Sequence, residues 1–331
     1  MSTRSQISVR IVAPAFAAGL AAATFAAGDA RAFPDEPVSY VVPFERGDDS
    51  DIAARFQEPY FAEITGQELI VQNMPGQGGA EAWSALNDHE GDGQTIMAVS
   101  LPHIVLQPMI EEPGYETGEI VAVYMSNFTP TALFAAADSP YQTLEQVIDA
   151  ARRGPGALTV SGTGTASAHH AMNQRMLEMA EVDMTYIPHT GTAAASTAMV
   201  DGETDFQWGY PTVAIEQGDR VRMLAVALEE RHPLFPEVPT FRELGIDIVG
   251  GAYRGVAVPD DTPWEIRRQL SDIFAEINAN EEFVAQMEGA GFTLIDVPYE
   301  QMDDWMAERR DTYAEIAEQL FERTQGDPQQ Q

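Results

Sequence analysis

Four times along this chain a short apolar run of strand type breaks into a loop of small polar residues that opens a helical stretch. The runs are 38–44, 69–72, 158–160 and 184–187, and the loops after them are 45–50, 73–79, 161–165 and 189–192. β-Branched and aromatic residues suit a pleated surface, and Gly, Ser, Thr, Asn and Asp then turn the chain into a helix N-terminus. Such alternation predicts an α/β fold with a largely parallel sheet. Further strands are expected at 95–99, 132–136, 205–208 and 221–228, with a loop at 100–103. Helices are expected from Asp51, with Asp49 or Ser50 as N-cap, and at 80–87, 144–153, 167–180, 263–278, 281–289 and 299–320. A chain of 331 residues is too long for one ordinary core and suits two.

The first 32 residues read as an address. Arg4 and Arg10 precede an Ala-rich apolar stretch at 11–27, and Ala30-Arg31-Ala32 gives a small-x-small cleavage signal. We expect a cleaved signal peptide over 1–32, a mature start at Phe33 and a periplasmic location. Cysteine is absent, which excludes disulfides, thiolate chemistry and a lipid-modified cysteine anchor. Asp and Glu number 52 against 18 basic residues, all of them Arg, and the net charge is −34. That field repels nucleic acid and anionic surfaces. The acids are scattered rather than blocked, as expected of a surface that stays soluble in high salt. Any site for an anion must therefore be a local feature.

Four segments, in order, resemble the substrate-binding proteins of the tripartite tricarboxylate transporter family, also called the Bug family. Residues 40–55, Tyr-Val-Val-Pro-Phe-Glu-Arg-Gly-Asp-Asp-Ser-Asp-Ile-Ala-Ala-Arg, resemble its V-P-F-x-x-G-G-x-x-D-x-x-A-R motif. Residues 66–79 are similar to G-Q-x-x-x-V-x-N-x-P-G-A-G-G. Residues 161–170 resemble its Gly/Ser-rich loop before a His-containing helix, and 186–206 its Y-x-P-Y-K-G-x-A and G-G-x-V-D pair. The resemblance implies a type II periplasmic-binding fold, a two-lobe Venus flytrap. Lobe 1 would take 33–133 and 254–331, and lobe 2 would take 134–253. It further implies capture of a small organic acid and delivery to the membrane subunits of a tripartite transporter. No cofactor or metal is implied, and the binding unit is expected to be a monomer.

Loops that lead into helix N-termini present free amides and the positive end of the helix dipole, which favours anions. Candidate ligand residues are Phe44, Arg46, Gly47, Asp48, Ser50 and Asp51 on the first loop, and Asn73 and Gly78 on the second. Ser100 and His103 follow the third strand. Ser161, Gly162, Thr163, Gly164 and Thr165 offer hydroxyls and amides, as do Thr190, Gly191 and Thr192. Asp205 and Arg254, the latter beside the expected hinge, complete the set. Asp48 stands where the family motif has its second Gly. Its carboxylate would repel an anion, so either Arg46 offsets it or the ligand carries an amine that Asp48 or Asp51 receives. Ser100 with His103, and Ser167 with His169, are conceivable nucleophile–base pairs. The chain lacks a G-x-S-x-G elbow, an H-E-x-x-H and a phosphate loop, so an enzyme is not expected. The adjacent His169 and His170 point apart on a helix and cannot pair on a metal. A sensor feeding a membrane kinase would use the same site and is the alternative to uptake.

Overall fold

The structure is a computed structural model that describes residues 33–326. The predicted signal peptide lies outside the described residues. Two sheets carry the chain. The first takes β1 (Val38–Val42), β2 (Leu69–Asn73), β3 (Thr95–Leu101) and β4 (Val121–Pro130). The second takes β5 (Ala132–Ala136), β6 (Thr159–Thr163), β7 (Thr185–His189), β8 (Phe206–Gly209) and β9 (Val221–Val226). The chain then returns to the first sheet with β10 (Gly251–Val258) and β11 (Thr293–Pro298). The strand orders are β11-β4-β10-β3-β1-β2 and β7-β6-β8-β5-β9.

Helices α1 (Asp49–Thr65), α2 (Ala80–Ser84) and α3 (His103–Ile110) follow β1, β2 and β3. In the second half α4 (Leu144–Arg153) precedes β6, and α5 (Ala168–Ala180), α6 (Thr192–Val200) and α7 (Pro211–Gln217) follow β6, β7 and β8. Helices α8 (Trp264–Ala279), α9 (Glu281–Gly289) and α10 (Tyr299–Gly326) close the chain. Among the described residues no helix is long and apolar enough to cross a membrane.

The sheets are mixed, which corrects the expectation of largely parallel pairing. β1 pairs in parallel with β2 and β3, and β6 with β7 and β8. β10 instead runs antiparallel to β3 and β4, and β5 antiparallel to β8 and β9. Strands β4, β10 and β11 were not expected. β10 hides its nature because Gly251, Arg254 and Gly255 interrupt its apolar run. Those glycines are needed: a Cβ at Gly251 would lie 2.0 Å from the Thr129 carbonyl oxygen, and one at Gly255 2.1 Å from that of Tyr124. Close strand approach, at Gly255 beside an irregularity of the ladder, selects glycine against its poor strand propensity.

The chain passes between the sheets at Thr131 and again over 227–250, and the two passages are hydrogen-bonded. Thr131 N–H donates to the Gly250 carbonyl at 3.0 Å, Ala227 N–H to Thr131 O at 2.8 Å, and Gly250 N–H to Ala227 O at 3.0 Å. Two adjacent crossings of this kind are the layout of a hinge.

A candidate binding cleft between the sheets

The first wall is the β1–α1 loop. Helix α1 starts at Asp49 rather than Asp51, and its N-cap is Asp48, not Asp49 or Ser50. Asp51 accepts from the Gly47 amide at 2.9 Å, from Arg55 Nε at 3.0 Å and from Asn73 Nδ2 at 2.9 Å. Asn73 Nδ2 also donates to the Phe44 carbonyl at 3.0 Å, and its Oδ1 accepts from Arg55 Nη2 at 3.2 Å. These bonds hold Asp51 below the ordinary carboxylate range despite its burial. Asp51 and Asn73 therefore brace the loop, and Arg55, which sequence reading missed, is the cation of the brace. Arg46 and Gly47 are exposed.

The second wall comes from β6, β7 and β8. Ser167 Oγ donates to the Thr163 carbonyl at 2.7 Å and accepts from His170 N–H at 3.1 Å, which fixes the end of β6 to the start of α5. Thr163 N–H donates to His169 Nδ1 at 3.1 Å, so the ring proton sits on Nε2. Ser161 turns inward and donates to the Ala195 and Phe206 carbonyls. Gly162 is a packing glycine, since a Cβ there would meet Tyr186 Oη at 2.4 Å. Asp205 lies at the opposite end of β6, accepting from Thr159 N–H at 2.8 Å.

Where the walls meet they touch directly. Gly78 of the first half and Gly164 of the second approach closely, a Cβ on Gly164 lying 3.3 Å from Gly78 Cα. Thr165 Oγ1 donates to Glu111 Oε1 at 2.5 Å, and Thr190 Oγ1 to Glu45 Oε1 at 3.0 Å. Asp48 reaches furthest. It makes no side-chain bond to its own helix, and its Oδ1 accepts the Ala193 amide of α6 at 3.1 Å. A capping carboxylate usually sits on the N-cap residue itself. The N-cap of α6 is Gly191, which has no side chain, and Asp48 supplies the carboxylate from the other sheet. Gly191 is required there, because a Cβ would lie 2.1 Å from Asp48 Oδ2.

Between the walls lies a cavity of about 20 Å³, lined by Phe44, Asp48, Asp49, Ser50, Ser100, His103, Thr163, Thr192, Tyr210 and Arg254. That is room for a water molecule, so this is a closed arrangement. Eight of these residues are candidates from the sequence; Asp49 and Tyr210 are additions. Tyr210 follows β8 and precedes Pro211, so the strand-end argument extended to β8 finds it. Ser100 lies inside β3, and His103 begins α3, where a loop was expected.

Arg254 is the cation that lines the cavity. It is 5% exposed, donates from Nη1 to Thr129 Oγ1 at 2.6 Å, stands 3.9 Å from Asp49 Oδ2 and lies over the Tyr210 ring at 4.8 Å. Its Nε has no partner. Asp49 Oδ1 accepts from Thr212 Oγ1 at 2.6 Å. Burial, aided by the Arg254 charge, pushes His103 down to about 3, so its ring is neutral. Burial raises the Asp48 carboxyl to about 7, with the charges of Asp49 and Glu45 adding to the rise. Among the described residues no group of His, Asp and Glu is placed to hold a metal ion.

A family model described as the tripartite tricarboxylate transporter family receptor matches residues 53–320. This chain belongs to that family. The receptor is 31% identical over 270 residues to the UPF0065 protein in the gbd 5' region of Cupriavidus necator, covering 78% of this chain and 81% of that one. It is 30% identical over 254 residues to the UPF0065 protein in the tcbD-tcbE intergenic region of Pseudomonas sp. strain P51, covering 75% and 74%. Its fold matches the periplasmic binding protein BugD with a TM-score of 0.81 at 22% identity, over 87% of this chain and 98% of the other. It matches MatC from Rhodopseudomonas palustris, solved with bound malate, with a TM-score of 0.80 at 24% identity, over 86% and 100%. An R. palustris protein solved with adipate matches at 0.82 and 22%, over 87% and 98%. The receptor thus has the two-lobe periplasmic-binding fold and is a binding protein, not an enzyme.

Proposed function

We propose that the receptor works in the periplasm, captures a small organic acid between its lobes and delivers it to the membrane subunits of a tripartite transporter. The observation that carries this reading is Arg254: a buried guanidinium with an unpartnered Nε, in a cavity built from both sheets. A carboxylate on that edge would replace water with a charge-assisted bond. Ser100, Thr163 and Thr192 add hydroxyls to the same cavity. The malate and adipate held by proteins of the same fold support a carboxylate as the ligand class.

Lobe 1 is the first sheet with its helices, and lobe 2 the second, joined by the crossings at Thr131 and 227–250. The small cavity requires the lobes to part before a ligand enters, and ligand contacts from both walls then favour reclosure. Closed lobes would present the surface that the membrane subunits read. The test has two parts. Thermal unfolding of the mature protein with a panel of organic acids should show stabilisation of ~2.7 kcal/mol at 100 times the dissociation constant. A strain lacking the gene should lose uptake of the acid identified. Silence across the panel, or undiminished uptake, would sink the reading.

A further inference from the structure

We propose that the cleft selects an acid that also carries a cationic nitrogen, with Asp48 receiving the nitrogen and Arg254 the carboxylate. This rests on the carboxylate-receptor reading above and narrows it. The argument starts at the α6 N-terminus. That anion site is already filled, because Asp48 Oδ1 accepts the Ala193 amide across the lobes. A ligand carboxylate held when the lobes reclose with that bond in place is left with Arg254 as its cation.

The other oxygen of Asp48 is the complementary half. Asp48 is 3% exposed and its Oδ2 is buried with no hydrogen-bond partner. A buried carboxylate oxygen without a donor is costly, and a ligand N–H carrying positive charge is the donor that offsets it best. Asp48 and Arg254 thus line one cavity with opposite charges, and each has a buried atom without a hydrogen-bond partner, Oδ2 beside Gly191 as acceptor and Nε as donor.

The local charges point the same way. Arg254 already faces Asp49. Asp51 is satisfied by Arg55 and Asn73, Glu45 adds a like charge to Asp48, and Arg46 on the same loop is exposed. Among the described residues no hydrogen bond or ion pair joins Asp48 to a cation. A dianion would add repulsion to this excess, whereas a zwitterion pairs each end and adds no net charge. Burial, with the like charges of Asp49 and Glu45 adding to it, holds the Asp48 carboxyl high.

The experiment is titration calorimetry with three ligand pairs that differ by one amine: succinate and aspartate, glutarate and glutamate, propionate and alanine. The proteins are the mature chain, Asp48→Asn and Asp48→Gly. Asn preserves the acceptor for Ala193 but not the charge, and Gly restores the residue of the family motif. In at least one pair the amine-bearing member should bind the wild type at least tenfold more tightly. Both variants should lose that preference while unfolding cooperatively. Tighter binding of the amine-free acids, or a preference that survives both variants, overturns the proposal and leaves the carboxylate receptor standing. No binding of any of the six overturns both.

Discussion

The two walls of the cleft are chemical opposites. The β1–α1 loop and the first turn of α1 carry Glu45, Asp48, Asp49 and Asp51 within seven residues, against Arg46 alone. The facing loops, 161–167 and 190–197, carry no ionisable side chain and offer hydroxyls and amides. Both walls are helix N-termini at the C-terminal ends of strands, the usual position of ligands in open α/β sheets. In lobe 1 that position is saturated by the protein's own carboxylates. In lobe 2 it is left to whatever crosses the gap, and Asp48 crosses it. The same backbone geometry therefore gives one wall that repels an anion and one that accepts it. Arg254, on the strand that leads out of the hinge, arbitrates between them.

The largest effect should come from removing the arbiter. Arg254→Leu leaves Asp49 buried without a counter-charge, and breaking a buried pair from one side costs about 3 kcal/mol or more. Chemical denaturation should show that loss, and carboxylate binding should vanish with it. A variant as stable as the wild type would mean that Thr212 alone satisfies Asp49.

A second change attacks the contact between the walls without touching either core. Gly191 has φ −169°, an extended backbone that alanine adopts freely. Its Cβ would nevertheless lie 2.8 Å from Asp48 Cγ as well as 2.1 Å from Oδ2, so the whole carboxylate must leave Ala193. Gly191→Ala should weaken ligand binding at least tenfold with little change in melting temperature. In an Asp48→Gly background the same change should be rescued to nearly no effect, because the obstacle is then gone. Failure of that rescue would show that the two residues do not meet on closure.

Much of this wall structure was legible beforehand. The loops after β1, β6 and β7 were identified because small polar residues between an apolar run and a helix have few other uses. What stayed hidden has physical reasons. Ser161, Gly162 and Thr163 form one unbroken polar stretch, yet alternation along β6 packs Gly162 under Tyr186, and of the other two Ser161 bonds to the interior while only Thr163, at the strand's end, reaches the cavity. Asp205 looked like a cleft residue because strand ends were counted without direction, and it sits at the wrong end of β6. Asp48 was noticed as a departure from the family motif, but its crossing to α6 depends on tertiary placement that no local pattern encodes. β10 escaped notice because its glycines answer to neighbouring strands rather than to its own propensity.

The pH response separates Asp48 from the buried histidines. Asp48 is raised to about 7 in the folded protein against ~3.9 in an unfolded chain. Between those values the folded protein holds a proton that the unfolded chain has released, so this group makes stability fall as pH rises. His103 and His170 act in the opposite sense. Burial lowers them to about 3 and about 4 against ~6.5 unfolded, so they add stability as pH rises towards 6.5. Comparing Asp48→Asn with the wild type cancels the histidines. The variant's advantage in melting temperature should grow from near nothing at pH 4 to a plateau above pH 7. A difference that does not change with pH would mean that Asp48 titrates normally.

The smallest effect belongs to the rim. Thr165 and Glu111 join the lobes at 2.5 Å, but both are exposed. A solvated bond of this kind contributes about 0–1 kcal/mol, because water and salt compete for the carboxylate and two side chains must be ordered to make it. Thr165→Ala should therefore weaken ligand binding by less than about threefold, with the change shrinking further as salt rises. A tenfold loss would move the decisive contact between the lobes from Asp48 and Ala193 out to the rim. The asymmetry of the walls would then matter less than the grip at their edges.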